Sequence, residues 1–85
     1  MSKKEKLLKR LKLKPSDFTY DELRTLLNYL GFVESNKGKT SGSRVIFLSD
    51  SSKKVIRLHK PHPSNVMKEY QIKQIIVQLR KMGVI

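Results

Sequence analysis

The stretch Arg44-Val45-Ile46-Phe47-Leu48, followed by Ser49-Asp50-Ser51-Ser52-Lys53-Lys54 and then Val55-Ile56-Arg57-Leu58, decides the fold. Two β-branched and apolar runs joined by a polar, turn-forming hexapeptide predict a β-hairpin. Side chains alternate along a strand, so Val45 and Phe47 pointing to a core would send Arg44, Ile46 and Leu48 to the opposite face. In the partner strand, Ile56 and Leu58 would then face inward, with Arg57 and His59 outward. A slip of one residue would reverse this register, because the first strand is apolar on both faces. Outward from the hairpin, Phe32 to Glu34 predicts a short third strand, and Ser35-Asn36-Lys37-Gly38-Lys39-Thr40-Ser41-Gly42 predicts a polar loop. On the other side, His59-Lys60-Pro61-His62-Pro63 ends the ladder, since proline donates no strand hydrogen bond.

Helices flank the strands. Thr19 followed by Glu22 has the spacing of a capping box, and Leu23, Leu26, Leu27 and Leu30 recur as one apolar stripe before Gly31. A matching stripe, Ile72, Ile75, Ile76 and Leu79, begins near Lys68 and ends at Gly83. The predicted class is α+β: an α-β-β-β-α unit whose three-stranded antiparallel sheet carries two helices on one face and leaves the other bare. Ahead of it, Lys3, Lys4, Lys6, Lys9, Arg10, Lys12 and Lys14 surround Leu7, Leu8 and Leu11. This predicts a basic amphipathic helix closed by Pro15, with Lys3, Lys6 and Arg10 as an outer stripe. Residues 1–15 are read as this extension and 16–85 as the domain.

At 85 residues the chain has room for one small core, which excludes a large multi-domain enzyme. With 19 Lys+Arg against 7 Asp+Glu, the net charge of +12 attracts polyanions, nucleic acid first, through counterion release. A basic scaffold for an acidic protein is the plainer reading. No cysteine is present, so there is no disulfide or thiolate metal site, which fits a reducing cytoplasm. No secretory apolar run or membrane-length stretch is seen, and the chain is expected to act in the cytoplasm.

The chemistry-bearing residues gather around the hairpin. Arg44, Arg57 and His59 would share the open face with Ile46, a combination suited to RNA, to a covering protein partner, or to both. The loop with Lys39 and Ser43 has glycines and donors that suit a phosphate, but it lacks the order of a nucleotide-hydrolysing loop and is equally read as solvated. His59 and His62 are the only histidines. Imidazole can take or give a proton, as cleavage of RNA by its own 2′-hydroxyl requires, whereas two histidines alone make a poor metal site. No cofactor is expected.

The chain resembles the HicA-type toxins of bacterial toxin-antitoxin pairs from about Asp17 to Lys81. The carriers are Asp17-Phe18-Thr19-Tyr20-Asp21-Glu22-Leu23 with Leu27 and Gly31-Phe32, the loop Gly38-Lys39-Thr40-Ser41-Gly42-Ser43-Arg44 with Phe47, His59-Lys60-Pro61-His62-Pro63, and Tyr70-Gln71-Ile72. The resemblance implies a fold similar to a double-stranded RNA-binding domain and an mRNA-cleaving endoribonuclease neutralised by a HicB-type antitoxin covering its active face. Many members have a catalytic histidine immediately after the glycine-serine pair, where this chain has Arg44. Arginine stays protonated and cannot act as a general base, although it can hold phosphate. The reading is therefore a metal-independent ribonuclease with His59 and His62 as acid/base groups, Lys39, Ser43, Arg44, Arg57 and Lys60 holding RNA, and a HicB-type antitoxin as partner. The alternative is a non-catalytic RNA-binding or partner-docking module of the same fold.

Overall fold

A computed structural model describes residues 2–35, 44–49, 53–61 and 64–85. Its elements are α1 (Lys3–Lys12), α2 (Tyr20–Tyr29), β1 (Phe32–Ser35), β2 (Arg44–Ser49), β3 (Val55–His59) and α3 (Glu69–Lys81). The strands form one antiparallel sheet in the order β1-β2-β3. The α-β-β-β-α unit with a helical N-terminal addition is thus the observed architecture. Loop residues 36–43, with Lys39 and Ser43, the turn residues 50–52, and His62 with Pro63 lie outside the described residues.

Local chemistry explains where the helices start and stop. Thr19 Oγ1 accepts from the Glu22 amide at 3.1 Å, and the Glu22 carboxylate accepts from the Thr19 amide at 3.0 Å. This reciprocal capping box satisfies two donors that a helix N-terminus leaves unpaired. At the other end of α2, Gly31 takes φ +94°, a left-handed angle that costs glycine little. The end of α3 repeats the device, with Gly83 at φ +73° and the Val84 amide donating back to the Leu79 carbonyl at 2.9 Å.

The hairpin register is the predicted one. Phe47 pairs with Ile56, Val45 with Leu58, Ile46 with Arg57 and Arg44 with His59. Val45, Phe47, Ile56 and Leu58 are buried, while Arg44, Leu48, Arg57 and His59 are exposed, so one face of the sheet meets the helices and the other meets solvent. Ile46 departs from expectation: it is half-buried rather than exposed.

Phe18, Leu23, Leu26, Leu27, Phe32, Phe47, Ile56, Met67, Ile72, Ile75 and Leu79 belong to one core between α2, α3 and the inner sheet face. Each large side chain removed from water there stabilises the fold by about 1.5 to 3 kcal/mol before entropy is counted. Helix α1 packs on α2 and α3, on the helical side of the molecule, and buries Leu11 completely while Leu7 and Leu8 rest against the core.

Two connectors are sewn together beside this core. The Tyr20 amide donates to the Asn65 carbonyl at 2.8 Å and the Met67 amide to the Phe18 carbonyl at 2.6 Å. The Asn65 side chain also donates to Asp21 at 3.2 Å. The segment after the proline-rich turn is consequently fixed against the start of α2.

Candidate nucleic-acid interface

The outer sheet face is built by strand alternation. Its described side chains are Val33 and Ser35 from β1, Arg44, Ile46 and Leu48 from β2, and Val55, Arg57 and His59 from β3. Arg44 lies directly across from His59, and Ile46 directly across from Arg57. Directly opposed side chains on one face start about 4.5–5.5 Å apart, and residues two apart on a strand are about 6.6 Å apart, so the imidazole of His59 sits beside two guanidinium groups. Next to these two arginines and the histidine runs an apolar row, Val33-Leu48-Val55, in which Val33 is 59% exposed.

The described charges of the face are one-signed. The described acids are Glu5, Asp17, Asp21, Glu22, Glu34 and Glu69. All lie on helices, on their connectors, or, for Glu34, on the inner side of β1. Among the described residues, the side chains of Arg44, Arg57 and His59 have no ion pair and no hydrogen bond. Among the described residues nothing compensates the two arginines, so an anion arriving there displaces water rather than a described internal partner.

Lys60 goes elsewhere. It follows His59 and shares the inward parity of Leu58, and its Nζ lies 3.9 Å from Glu34 and 5.4 Å from the centroid of the Tyr20 ring. Glu34 also accepts from the Tyr20 hydroxyl at 3.1 Å and faces Arg24 at 3.8 Å. Burial, and then the Glu34 charge and hydrogen bond, push the Tyr20 phenol far above its ordinary value, so it stays a neutral donor. The structure thus brings Arg44, Arg57 and His59 together and sets Lys60 apart from them. Lys39, Ser43 and His62 are outside the described residues.

Arg10 also departs from its expected position on the outer stripe of α1. Its guanidinium donates to Glu22 at 3.0 Å and to Asp17 at 2.8 Å, and it lies 5.7 Å from the centre of the Phe18 ring. Burial alone would raise the Glu22 carboxyl, but the Thr19 amide and then Arg10 outweigh it, so Glu22 is held below its ordinary value. Donation to Glu22, then to Asp17, raises Arg10 correspondingly. This arginine fastens α1 to the capping box of α2.

Two glutamines shape the site from behind; Gln78 was not singled out in the sequence, and Gln71 only as part of Tyr70-Gln71-Ile72, without a role. Strand β3 is an edge, so its outward backbone groups need partners. Gln78 accepts from the Arg57 amide at 3.3 Å and donates to the Arg57 carbonyl at 3.2 Å. Gln71, buried, donates to the His59 carbonyl at 3.2 Å and accepts from the Lys68 amide at 2.9 Å. Helix α3 therefore holds the backbone of two of the outward β3 residues, Arg57 and His59, in register. The only signal in the sequence is the seven-residue spacing that puts both glutamines on one helix stripe.

A bare sheet face with two arginines and a histidine, backed by two helices, can be compared with known families. The family model described as HicA toxin of bacterial toxin-antitoxin matches residues 20–84. The chain belongs to the HicA toxin family. Searches of curated proteins and of solved structures returned no match. HicA membership makes the chain a toxin of a bacterial toxin-antitoxin system, and it implies an antitoxin partner. The matched segment contains α2, the sheet and α3, and it leaves α1 outside. Among the described residues, no helix is long and apolar enough to cross a membrane.

Proposed function

We propose that this HicA-family toxin is a metal-independent endoribonuclease that cuts mRNA in the cytoplasm on its outer sheet face and is silenced there by a HicB-type antitoxin. The observation that carries the reading is the direct pairing of Arg44 with His59 on a face without a described carboxylate. Where many HicA toxins have a histidine, this chain has an arginine, and an imidazole stands one strand away on the same face. His59 takes the proton of the RNA 2′-hydroxyl as its oxygen attacks phosphorus. The bond to the 5′-oxygen breaks, and that oxygen receives a proton from His62 or from water. The products are a 2′,3′-cyclic phosphate and a free 5′-hydroxyl. Arg44 and Arg57 hold the phosphate and offset the charge that builds on its oxygens in the transition state. Lys39 and Ser43 take flanking phosphates, while Lys60, held by Glu34, is left out of the RNA contacts.

The same face suits the antitoxin. An acidic surface with an apolar centre would cover Val33, Leu48 and Val55 while pairing with Arg44 and Arg57, excluding RNA in the same step. The presence of Arg44 in place of the family histidine supports one rival, a module that binds RNA without cutting it. Purified, nuclease-free protein incubated with labelled RNA in chelator separates them. Loss of cleavage by about 100-fold to 10,000-fold in His59→Gln or His62→Gln, with RNA affinity retained, is the expected result. Equal cutting by wild type, both single variants and the double variant would refute the histidine mechanism, and no cutting by wild type would favour the binder.

A further inference from the structure

Helix α1 lies outside the family match and on the opposite side of the molecule from the open sheet face. Its inward side is fully used: Leu11 is completely buried, and Leu7 and Leu8 pack on the core. Arg10 is occupied by Asp17 and Glu22. What remains outside is lysine. Lys3, Lys4, Lys6, Lys9, Lys12 and Lys14 are all exposed, and none forms an ion pair among the described residues. Lys6, Lys9 and Lys12 are three apart, which spreads them over about 9 Å of helix axis on the solvent side. Glu5 is the single acid of the helix.

The lysine surface does not stop with the helix. Past Lys14 it meets a groove of about 380 Å³ whose walls include Lys14, Pro15 and Ser16 on one side and Ser64, Val66 and Lys68 on the other. The hydrogen bonds from Tyr20 to Asn65 and from Met67 to Phe18 hold these walls together. Two lysines and two hydroxyls thus line a groove that carries the positive track to the start of α3, where one acid, Glu69, also lines it and is paired with Lys73 at 3.6 Å.

We infer that α1 and this groove form a second RNA-binding surface, which grips the phosphate backbone of single-stranded RNA without reading its bases. The inference rests on the reading that the toxin acts on RNA. Charge complementarity selects the occupant: the track offers ammonium groups and hydroxyls, and each lysine-phosphate contact gains from counterion release. A lipid surface fits poorly, because membrane-lying helices insert an apolar face and α1 has spent its leucines on the core, leaving only Leu13 exposed. The placement also has a consequence for regulation. An antitoxin seated on the sheet face leaves α1 open, so the inhibited toxin keeps a hold on RNA.

The test compares three full-length proteins binding a fluorescent 30-nucleotide polyuridine whose 2′-hydroxyls are methylated, so that it cannot be cut, across a salt series: wild type, the α1 variant Lys6→Gln/Lys9→Gln/Lys12→Gln, and the sheet-face variant Arg44→Ala/Arg57→Ala. All three lysines are exposed, and circular dichroism checks that the fold is kept. The α1 variant should lose about 2 from the log-log salt slope, at about 0.7 per single-stranded contact, and roughly 50-fold in affinity near 0.15 M salt. Unchanged slope and affinity in the α1 variant, with weaker binding in the sheet-face variant, would overturn the inference and leave the proposed function standing. Failure of wild-type protein to bind polyuridine would overturn both. Binding of wild type to phosphatidylserine vesicles, lost in the α1 variant while RNA binding is untouched, would assign the surface to lipid and overturn the inference too.

Discussion

Arg10 and Arg44 are both partly solvated arginines, and they have opposite fates. Arg10 bridges Asp17 and Glu22, lies near the ring of Phe18, and locks one helix to the cap of the next. Arg44 stands on a strand face with Arg57 and His59, and no described carboxylate shares that face. The difference teaches how to read a chain with a net charge of +12. A cation matched by an internal acid is part of the fold, and a cation left unmatched beside a proton-transfer group is available to a ligand. The acids decide, because they are few and the described ones are placed on the helical side.

The sharpest way to break this contrast is on β2 itself, where neighbouring residues face opposite ways. Phe47→Ala should cost about 3–5 kcal/mol in denaturant unfolding, since it empties the inner face of a fully buried ring. Leu48→Thr, one residue on and exposed, should change stability by no more than about 0.5 kcal/mol. Equal costs would mean that the face assignment is wrong.

Next in size is the open face. Arg44→Ala/Arg57→Ala should keep its denaturation midpoint yet lose about 1.4 from the salt slope of single-stranded RNA binding, two contacts at about 0.7 each. A fall in stability without a change in slope would make these arginines structural, like Arg10.

The helical side responds to acid. Glu22 is held below its ordinary value of 4.5 in the folded chain, so its stabilisation is present above that value and is lost as pH falls through the lower, folded one. Between about pH 5 and pH 3 the wild type should therefore lose stability more steeply than Glu22→Gln, whose amide has no charge to lose. At neutral pH, Glu22→Ala should destabilise by about 1 kcal/mol through loss of the cap partner. Parallel acid curves for wild type and Glu22→Gln would remove Glu22 from the account.

Much of this was legible in the chain. The hairpin register chosen over its one-residue slip was realised pair by pair, and Thr19 with Glu22 formed the capping box that their spacing predicts. Lys60 was readable but missed, since its parity with Leu58 already sends it inward, toward Glu34. The partners of Arg10 were harder, because the turn after Lys14, where φ is +51°, brings Asp17 back to the helix. The clamp of Gln71 and Gln78 was not legible, because β3 becomes an edge only once the strand order is known. The roles of Lys39, Ser43 and His62 stay with the sequence reading.

The central claim is that RNA docks on the outer face of β2 and β3. Amide chemical-shift mapping with a short RNA whose 2′-hydroxyls are methylated, and which therefore cannot be cut, tests it most directly. The account expects large shifts at Arg44, Ile46, Arg57 and His59. Shifts confined to the helical side, with β2 and β3 unchanged at saturating RNA, would contradict it.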